Sequence, residues 1–228
     1  MPKYYPIMLD IRNREVLVIG GDHVAAGKAA SLHASGARVT VLSEDFCDTL
    51  LLMEQQQEVT LRRKAYEPGD LEGAFVVVAA TSDPHLVEAI WSETQQRGQL
   101  VNIVDVPSRC SFIMPSVLRR DQLTIAVSTE GASPGLAKRI RQRLEEFFSP
   151  AYGTYLRLAA VARAHMRKRG VSYDRRDAFF RDFFDSPVLD HLAEGDETRA
   201  FVSTSDLLGR YQLDVPATVI AEGMKETQ

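Results

Sequence analysis

Apolar positions in the first hundred residues alternate between two rhythms. Val16-Leu17-Val18-Ile19 is a short, mostly β-branched run that ends at paired glycines, Gly20 and Gly21. A bounded apolar run of this length predicts a buried strand. Across residues 25–35 alanine and leucine recur at helical spacing until Gly36, a residue that suits a helix end. Val39-Thr40-Val41-Leu42 predicts a second strand, residues 48–57 a helix, and residues 59–63 a third strand. Phe75-Val76-Val77-Val78-Ala79 is apolar throughout, the pattern of a central parallel strand covered on both faces. Residues 83–97 then read as helix with Gly98 as its stop, and residues 100–104 as another strand. Strands and helices alternating through short loops predict a doubly wound parallel sheet over residues up to about 106.

The pattern changes after Pro107. Residues 111–118 and 123–128 are extended runs around Arg119-Arg120-Asp121-Gln122, which predicts a hairpin. Ser133-Pro134 opens a helix to about Phe147, serine serving as the cap and proline as the first helical residue. The remainder reads as helices over 152–169, 174–184, 187–193 and 203–211. Phe179-Phe180 and Phe183-Phe184 form a stripe at helical spacing, read as core or dimer contact rather than a wall for a flat ligand.

Composition narrows the class without naming a function. With 228 residues, 45% hydrophobic and 25% charged, the chain reads as a globular protein large enough for more than one unit. A formal net charge of -4 gives no electrostatic footprint for nucleic acid. No apolar run approaches membrane-span length, and Met1-Pro2-Lys3-Tyr4-Tyr5-Pro6 lacks the apolar core of an export signal. Cys47 and Cys110 lie far apart without a metal-binding spacing, so thiols and a cytoplasmic location are expected. His23, His33, His85, His165 and His191 are dispersed, and no resident metal site is expected.

Candidate chemistry gathers at the strand ends. Gly20, Gly21, Asp22, His23 and Val24 form a strand-turn-helix segment of the kind that cradles a dinucleotide pyrophosphate on peptide N–H groups and a helix dipole. Its spacing approaches G-x-G-x-x-G/A, but Asp22 stands at the middle glycine position, where a carboxylate would repel phosphate unless it pointed away. Glu44 or Asp45 after the second strand would meet the adenosine ribose and favour NAD over NADP; either would equally serve as a helix cap. Ala80 and Thr81 leave room at the end of the apolar strand. Asp105 closes the following strand and by itself reads as a turn residue before Pro107. Lys138, Arg139, Arg141 and Arg143, like Arg119 and Arg120, read as a solvated basic face.

The ordered set Tyr5-Pro6-Ile7, Gly20-Gly21-x-x-Val24-Ala25-x-x-Lys28, Gly36-Ala37-x-Val39-Thr40-Val41, Ala79-Ala80-Thr81, Asn102-Ile103-Val104-Asp105, Ser111-Phe112-Ile113-Met114-Pro115 and Ala126-Val127-Ser128-Thr129-x-Gly131-x-Ser133-Pro134 resembles the siroheme synthase amino-terminal family. That family comprises precorrin-2 dehydrogenases, some of them also sirohydrochlorin ferrochelatases. The chain departs from the family at Asp22, where a third glycine is usual, and at Gly27, where arginine is common. The resemblance implies an NAD-binding Rossmann-like domain over 1–110, a dimerisation segment of strands plus helix over 111–149, and a helical domain over 150–228, in a stand-alone homodimer. It implies NAD-dependent oxidation of precorrin-2 to sirohydrochlorin with Asp105 as catalytic base, and for some members insertion of Fe²⁺ as a substrate. A substrate rich in carboxylates would be met by Arg109, Ser128, Thr129, Gly131 and Ser133. Two other readings stay open: a nucleotide-sensing module without catalysis, and a chelatase with little dehydrogenase activity.

Overall fold

A computed structural model describes residues 3–226; Met1, Pro2, Thr227 and Gln228, at the outer ends of the first and last expected regions, lie outside the described residues. The backbone forms two compact units, Met1–Met114 and Pro115–Gln228.

The first unit is built on a parallel sheet of five strands in the order β3-β2-β1-β4-β5. These are β1 (Glu15–Ile19), β2 (Arg38–Ser43), β3 (Val59–Arg63), β4 (Val76–Ala79) and β5 (Leu100–Ile103). Every residue of β4 is buried, as its unbroken apolar run requires. Helix α1 (His23–His33) packs Ala25, Ala26, Ala29 and Leu32 against one face of the sheet, joined by Leu50 and Met53 of α2 (Asp48–Gln55). On the opposite face Val87 and Ile90 of α3 (Pro84–Arg97) join Leu17, Leu42, Leu71, Val77 and Ile103. Asp83 caps α3 by accepting from the His85 amide at 2.9 Å, and Gly98 ends it at φ +65°. The strand order reverses direction between β1 and β4, where open sheets of this type bind ligands beyond their carboxyl ends.

A buried carboxylate ties the loop before β4 to α3. Glu93, with 11% of its side chain exposed, accepts from the Tyr66 hydroxyl at 2.5 Å, the Gly69 amide at 3.0 Å and the Arg97 guanidinium at 2.9 Å. Burial alone would raise its pKa, but these donors outweigh that and hold it below the ordinary glutamate value.

The structure corrects the strand predicted from residue 111. Segment 110–112 instead lies along β5: the Ser111 amide donates to Val101 O at 2.8 Å, and Ser111 Oγ accepts from the Val101 amide at 2.8 Å. Pro115 then has no N–H to offer a ladder, so the hairpin begins one residue later. Strands β6 (Ser116–Arg120) and β7 (Leu123–Val127) pair antiparallel.

The second unit contains this hairpin, α4 (Pro134–Phe147) and a helical body of α5 (Ala151–Lys168), α6 (Tyr173–Phe184), α7 (Val188–Ala193), α8 (Glu197–Arg210) and α9 (Ala217–Glu226). Phe179, Phe180 and Phe183 lie in its core, where Phe183 stacks on Tyr155 at 4.9 Å between centroids. Their aromatic stripe is therefore packing, with Phe184 left exposed. Helix α8 starts six residues before the expected position because Asp196 caps it, accepting from the Arg199 amide at 2.9 Å. Helix α9 was not anticipated; its signal was Ile220 and Met224, four residues apart and both buried. No helix among the described residues is long and apolar enough to cross a membrane.

Candidate active site

The turn from β1 to α1 brings the chain close to two other strand ends. Gly20 has φ +128°, a backbone that side chains rarely adopt, and a Cβ there would stand 2.6 Å from Ala80 O. At Gly21 a Cβ would fall 1.7 Å from Asp45 O, so only glycine lets the turn pass between the ends of β4 and β2. The contacts are fixed by the Gly20 amide donating to Leu42 O at 3.0 Å, the Ala80 amide to Ile19 O at 2.7 Å, and the Cys47 amide to Gly21 O at 2.7 Å.

Asp22 is the N-cap of α1. Its carboxylate accepts from the Ala25 amide at 2.9 Å, satisfying one of the orphan donors of the first turn. The amides of His23 and Val24 still have no carbonyl within the helix, and both residues are exposed. A glycine-only cradle with open helix amides fits a dinucleotide pyrophosphate. The carboxylate of Asp22 lies at that same helix end and supplies negative charge where the pyrophosphate would bring more.

Glu44 and Asp45 follow β2 and are exposed. Neither side chain caps α2, whose N-cap is Cys47 and makes no side-chain hydrogen bond there. Sequence reasoning did not single out Arg63, which reaches the same segment from β3 and donates to Glu44 O at 3.1 Å. The signal was present in the pairing of β2 with β3, which sets Ser43 opposite Arg63.

Thr81 Oγ1 accepts from the Asp83 amide at 3.2 Å, shaping the loop after β4. Val104 donates to Ala79 O at 2.9 Å, which holds the end of β5 beside it. The next residue, Asp105, is exposed and has φ +60°, in the left-handed region. Aspartate tolerates that region better than most residues, yet such positions are uncommon and gather at functional sites. The Asp105 carboxylate makes no hydrogen bond or ion pair among the described residues. A short 3₁₀ turn, Pro107–Arg109, follows. Arg109 is not a free cation: it pairs with Glu88 at 2.8 Å and lies over the Trp91 ring, 5.8 Å from its centroid.

Ser128, Thr129, Gly131 and Ser133 belong to the second unit, between β7 and α4. Their hydroxyls shape the loop as acceptors, Ser128 Oγ from the Glu130 amide at 3.0 Å and Thr129 Oγ1 from the Ser133 amide at 3.0 Å. Ser133 caps α4 by accepting from the Leu136 amide at 3.3 Å. Each hydroxyl keeps its own proton to donate. Glu130 and Gly131 both take positive φ, +52° and +89°, which turns the loop sharply.

Fold and site together define a dinucleotide-binding α/β unit followed by a hairpin and helical unit. The first unit matches the model of a putative NAD(P)-binding domain over residues 7–116. Residues 120–146 match the central region of sirohaem biosynthesis proteins, and residues 151–208 the sirohaem synthase dimerisation region. The chain belongs to the siroheme synthase amino-terminal family. It is 34% identical to the siroheme synthase of Methylobacillus flagellatus over 209 residues, 91% of this chain and 45% of that one. It is also 34% identical to that of Zymomonas mobilis over 193 residues, 85% of this chain and 41% of the other. The chain thus spans less than half the length of these curated relatives. A solved structure described as SirC, precorrin-2 dehydrogenase, superposes with a TM-score of 0.74 at 26% identity, covering 92% of this chain and 99% of that one.

Proposed function

We propose that this chain is an NAD-dependent precorrin-2 dehydrogenase acting in siroheme biosynthesis as a homodimer in the cytoplasm. The observation that carries the proposal is Asp105: an exposed carboxylate, unpaired among the described residues, held in a left-handed backbone beside the β4 end, two strands from the nucleotide turn. The likeness to SirC over 92% of this chain and the dimerisation-region match support the same reading.

Oxidation of precorrin-2 to sirohydrochlorin removes a hydride and a proton from the macrocycle. When bound, NAD⁺ supplies the hydride acceptor. The chain supplies the rest. Gly20, Gly21 and the amides around Asp22, His23 and Val24 would hold the pyrophosphate, Glu44 and Asp45 would meet the adenosine ribose, and Ala80 and Thr81 would leave space for the nicotinamide. Asp105 takes the proton from the ring carbon that the hydride transfer leaves acidic, the work of a positioned general base. Arg109 receives a substrate carboxylate, exchanging its exposed partner Glu88 for it. Ser128, Thr129, Gly131 and Ser133, within the second unit, keep hydroxyl and amide donors of the kind a carboxylate accepts from. We extend the proposal to insertion of Fe²⁺ into sirohydrochlorin, in which the two N–H protons released would pass one at a time through exposed Asp105 to solvent.

Purified chain incubated with precorrin-2 and NAD⁺ is expected to develop the sirohydrochlorin absorbance, and Asp105→Ala to abolish it while NAD⁺ still binds. Unchanged turnover in that variant refutes the base assignment. Sirohydrochlorin with Fe²⁺ or Co²⁺ alone tests insertion; a spectrum that stays metal-free removes the chelatase extension and leaves the dehydrogenase.

A further inference from the structure

Arg62, Arg63 and Lys64 are successive cations at the end of β3. Side chains along a strand alternate between faces, and here the partners follow that alternation. Arg62 and Lys64 both bind the carboxylate of Asp70, at 2.9 and 3.1 Å, and only 8% of that side chain is exposed. Lys64 also pairs with Glu67 at 2.6 Å, so these two cations face two carboxylates within the fold. Arg63 points the other way, toward the segment after β2. Its guanidinium donates to Glu44 O at 3.1 Å, lies 3.6 Å from the Asp45 carboxylate and sits 5.1 Å from the centroid of the Phe46 ring.

That segment is where a nucleotide bound at the Gly20–Gly21 turn carries its adenosine ribose. Nucleotide folds choose there between two chemistries: a carboxylate that accepts from the ribose 2′-hydroxyl, or an arginine that binds a 2′-phosphate. This chain has both within one contact. The carboxylate is the weaker fixture. Asp45 is 100% exposed, exposed ion pairs hold loosely, and no other bond restrains its side chain among the described residues. Arg63 is anchored independently of Asp45, by a backbone carbonyl and an aromatic face, so it stays in place when Asp45 swings into solvent. A planar guanidinium held in this way presents its remaining N–H groups to phosphate oxygens.

We infer that Arg63 makes the ribose subsite accept a 2′-phosphate, so that the chain binds NADP⁺ as well as NAD⁺. The inference rests on the nucleotide-binding reading of the turn. Calorimetric titration of the full chain with each nucleotide tests it without recourse to turnover. The two dissociation constants are expected to agree within about tenfold in the wild type, the scale of one charge-assisted hydrogen bond. Arg63→Ala should weaken NADP⁺ by about tenfold or more and change NAD⁺ by less than about threefold, with Arg63→Lys retaining part of the NADP⁺ affinity. Arg63→Gln serves as the second neutral variant should Arg63→Ala fail to fold. Asp45→Asn should tighten NADP⁺ and weaken NAD⁺. Binding of NAD⁺ with NADP⁺ more than about tenfold weaker overturns the inference alone, as does equal weakening of both nucleotides by loss of the arginine. Failure of both nucleotides to bind the folded wild type overturns the nucleotide reading itself.

Discussion

Replacing Asp105 by glycine separates a working carboxylate from a turn residue, because the backbone and the side chain make opposite demands. At φ +60° an L-residue is strained by about 1–2 kcal/mol, less for aspartate than for most side chains. Glycine relieves that strain but has more freedom in the unfolded chain, which costs about 0.5–1 kcal/mol. The Asp105 side chain is exposed and makes no hydrogen bond or ion pair among the described residues, so its removal forfeits no contact. The terms nearly cancel, and urea unfolding of Asp105→Gly is expected to match the wild type within about 1 kcal/mol. Turnover should behave differently: loss of a general base lowers it by about 10²- to 10⁴-fold. Asp105→Asn keeps both the backbone preference and the shape, and should lose turnover by a similar factor with stability unchanged. A glycine variant that turns over at more than about a tenth of the wild-type rate would refute the catalytic assignment, since no base contributes so little. A variant destabilised by several kcal/mol would refute the accounting of strain.

Gly21→Ala places a methyl group 1.7 Å from Asp45 O, so the turn must open; NAD⁺ binding measured by calorimetry is expected to vanish and the melting temperature to fall. Asp22→Gly removes a carboxylate from the end of α1 at the cost of a few tenths of a kcal/mol in capping, and should tighten NAD⁺; unchanged affinity would mean that the charge does not reach the phosphates. Tyr66→Phe deletes the hydrogen bond to buried Glu93 and should destabilise the first unit by about 1.5–3 kcal/mol in urea unfolding. Glu93 titrates below the ordinary glutamate value when folded, so its contribution is complete above that value and is lost as pH falls through the depressed one. Acid titration of wild type against Glu93→Gln should therefore show the two converging in stability as the pH drops below that range.

Where local pattern and tertiary contact agreed, the chain could be read directly. Val59–Arg63 and Pro134–Phe147 begin and end as predicted, the second from a serine cap with proline behind it. The parallel sheet followed from the apolar run at Val76–Ala79, a composition that only burial on both faces explains. Contacts between distant residues were not legible. Residues 111–115 have the composition of a strand, but their hydrogen bonds go to β5, through Ser111 and Asn102, and no local period encodes that. The sequence leaves open whether the Asp22 carboxylate faces the phosphates or points away, while the structure uses it to cap α1, a role that needs only the Ala25 amide three residues on. Arg63 escaped notice because its importance depends on register with β2, and among Arg62 and Lys64 it resembled a solvated charge run.

The clasp along β5 explains how an exposed, strained carboxylate is kept in one place. The ladder of β5 stops at Ile103, and two residues later Asp105 reverses the chain into the 3₁₀ turn. Without further restraint that reversal would relax, since a left-handed aspartate has ordinary conformations close by in energy. The returning segment prevents it. Cys110 Sγ accepts from the Ile103 amide at 3.1 Å and has the carbonyls of Ile103 and Val106, at 3.2 and 3.3 Å, as alternative acceptors for its one proton, while Asn102 Nδ2 donates to Phe112 O at 3.0 Å. With the paired bonds between Ser111 and Val101, these contacts fasten the chain on both sides of Asp105 to the same strand. Burial pushes the Cys110 thiol above its ordinary pKa, against the smaller opposing effect of the Ile103 amide, so the sulfur keeps the proton it donates here. A general base needs a fixed distance to the proton it removes more than it needs partners of its own. On the proposed role of Asp105, residues 101–112 would fix where the base stands, and its carboxylate makes no hydrogen bond or ion pair among the described residues that a substrate would have to displace.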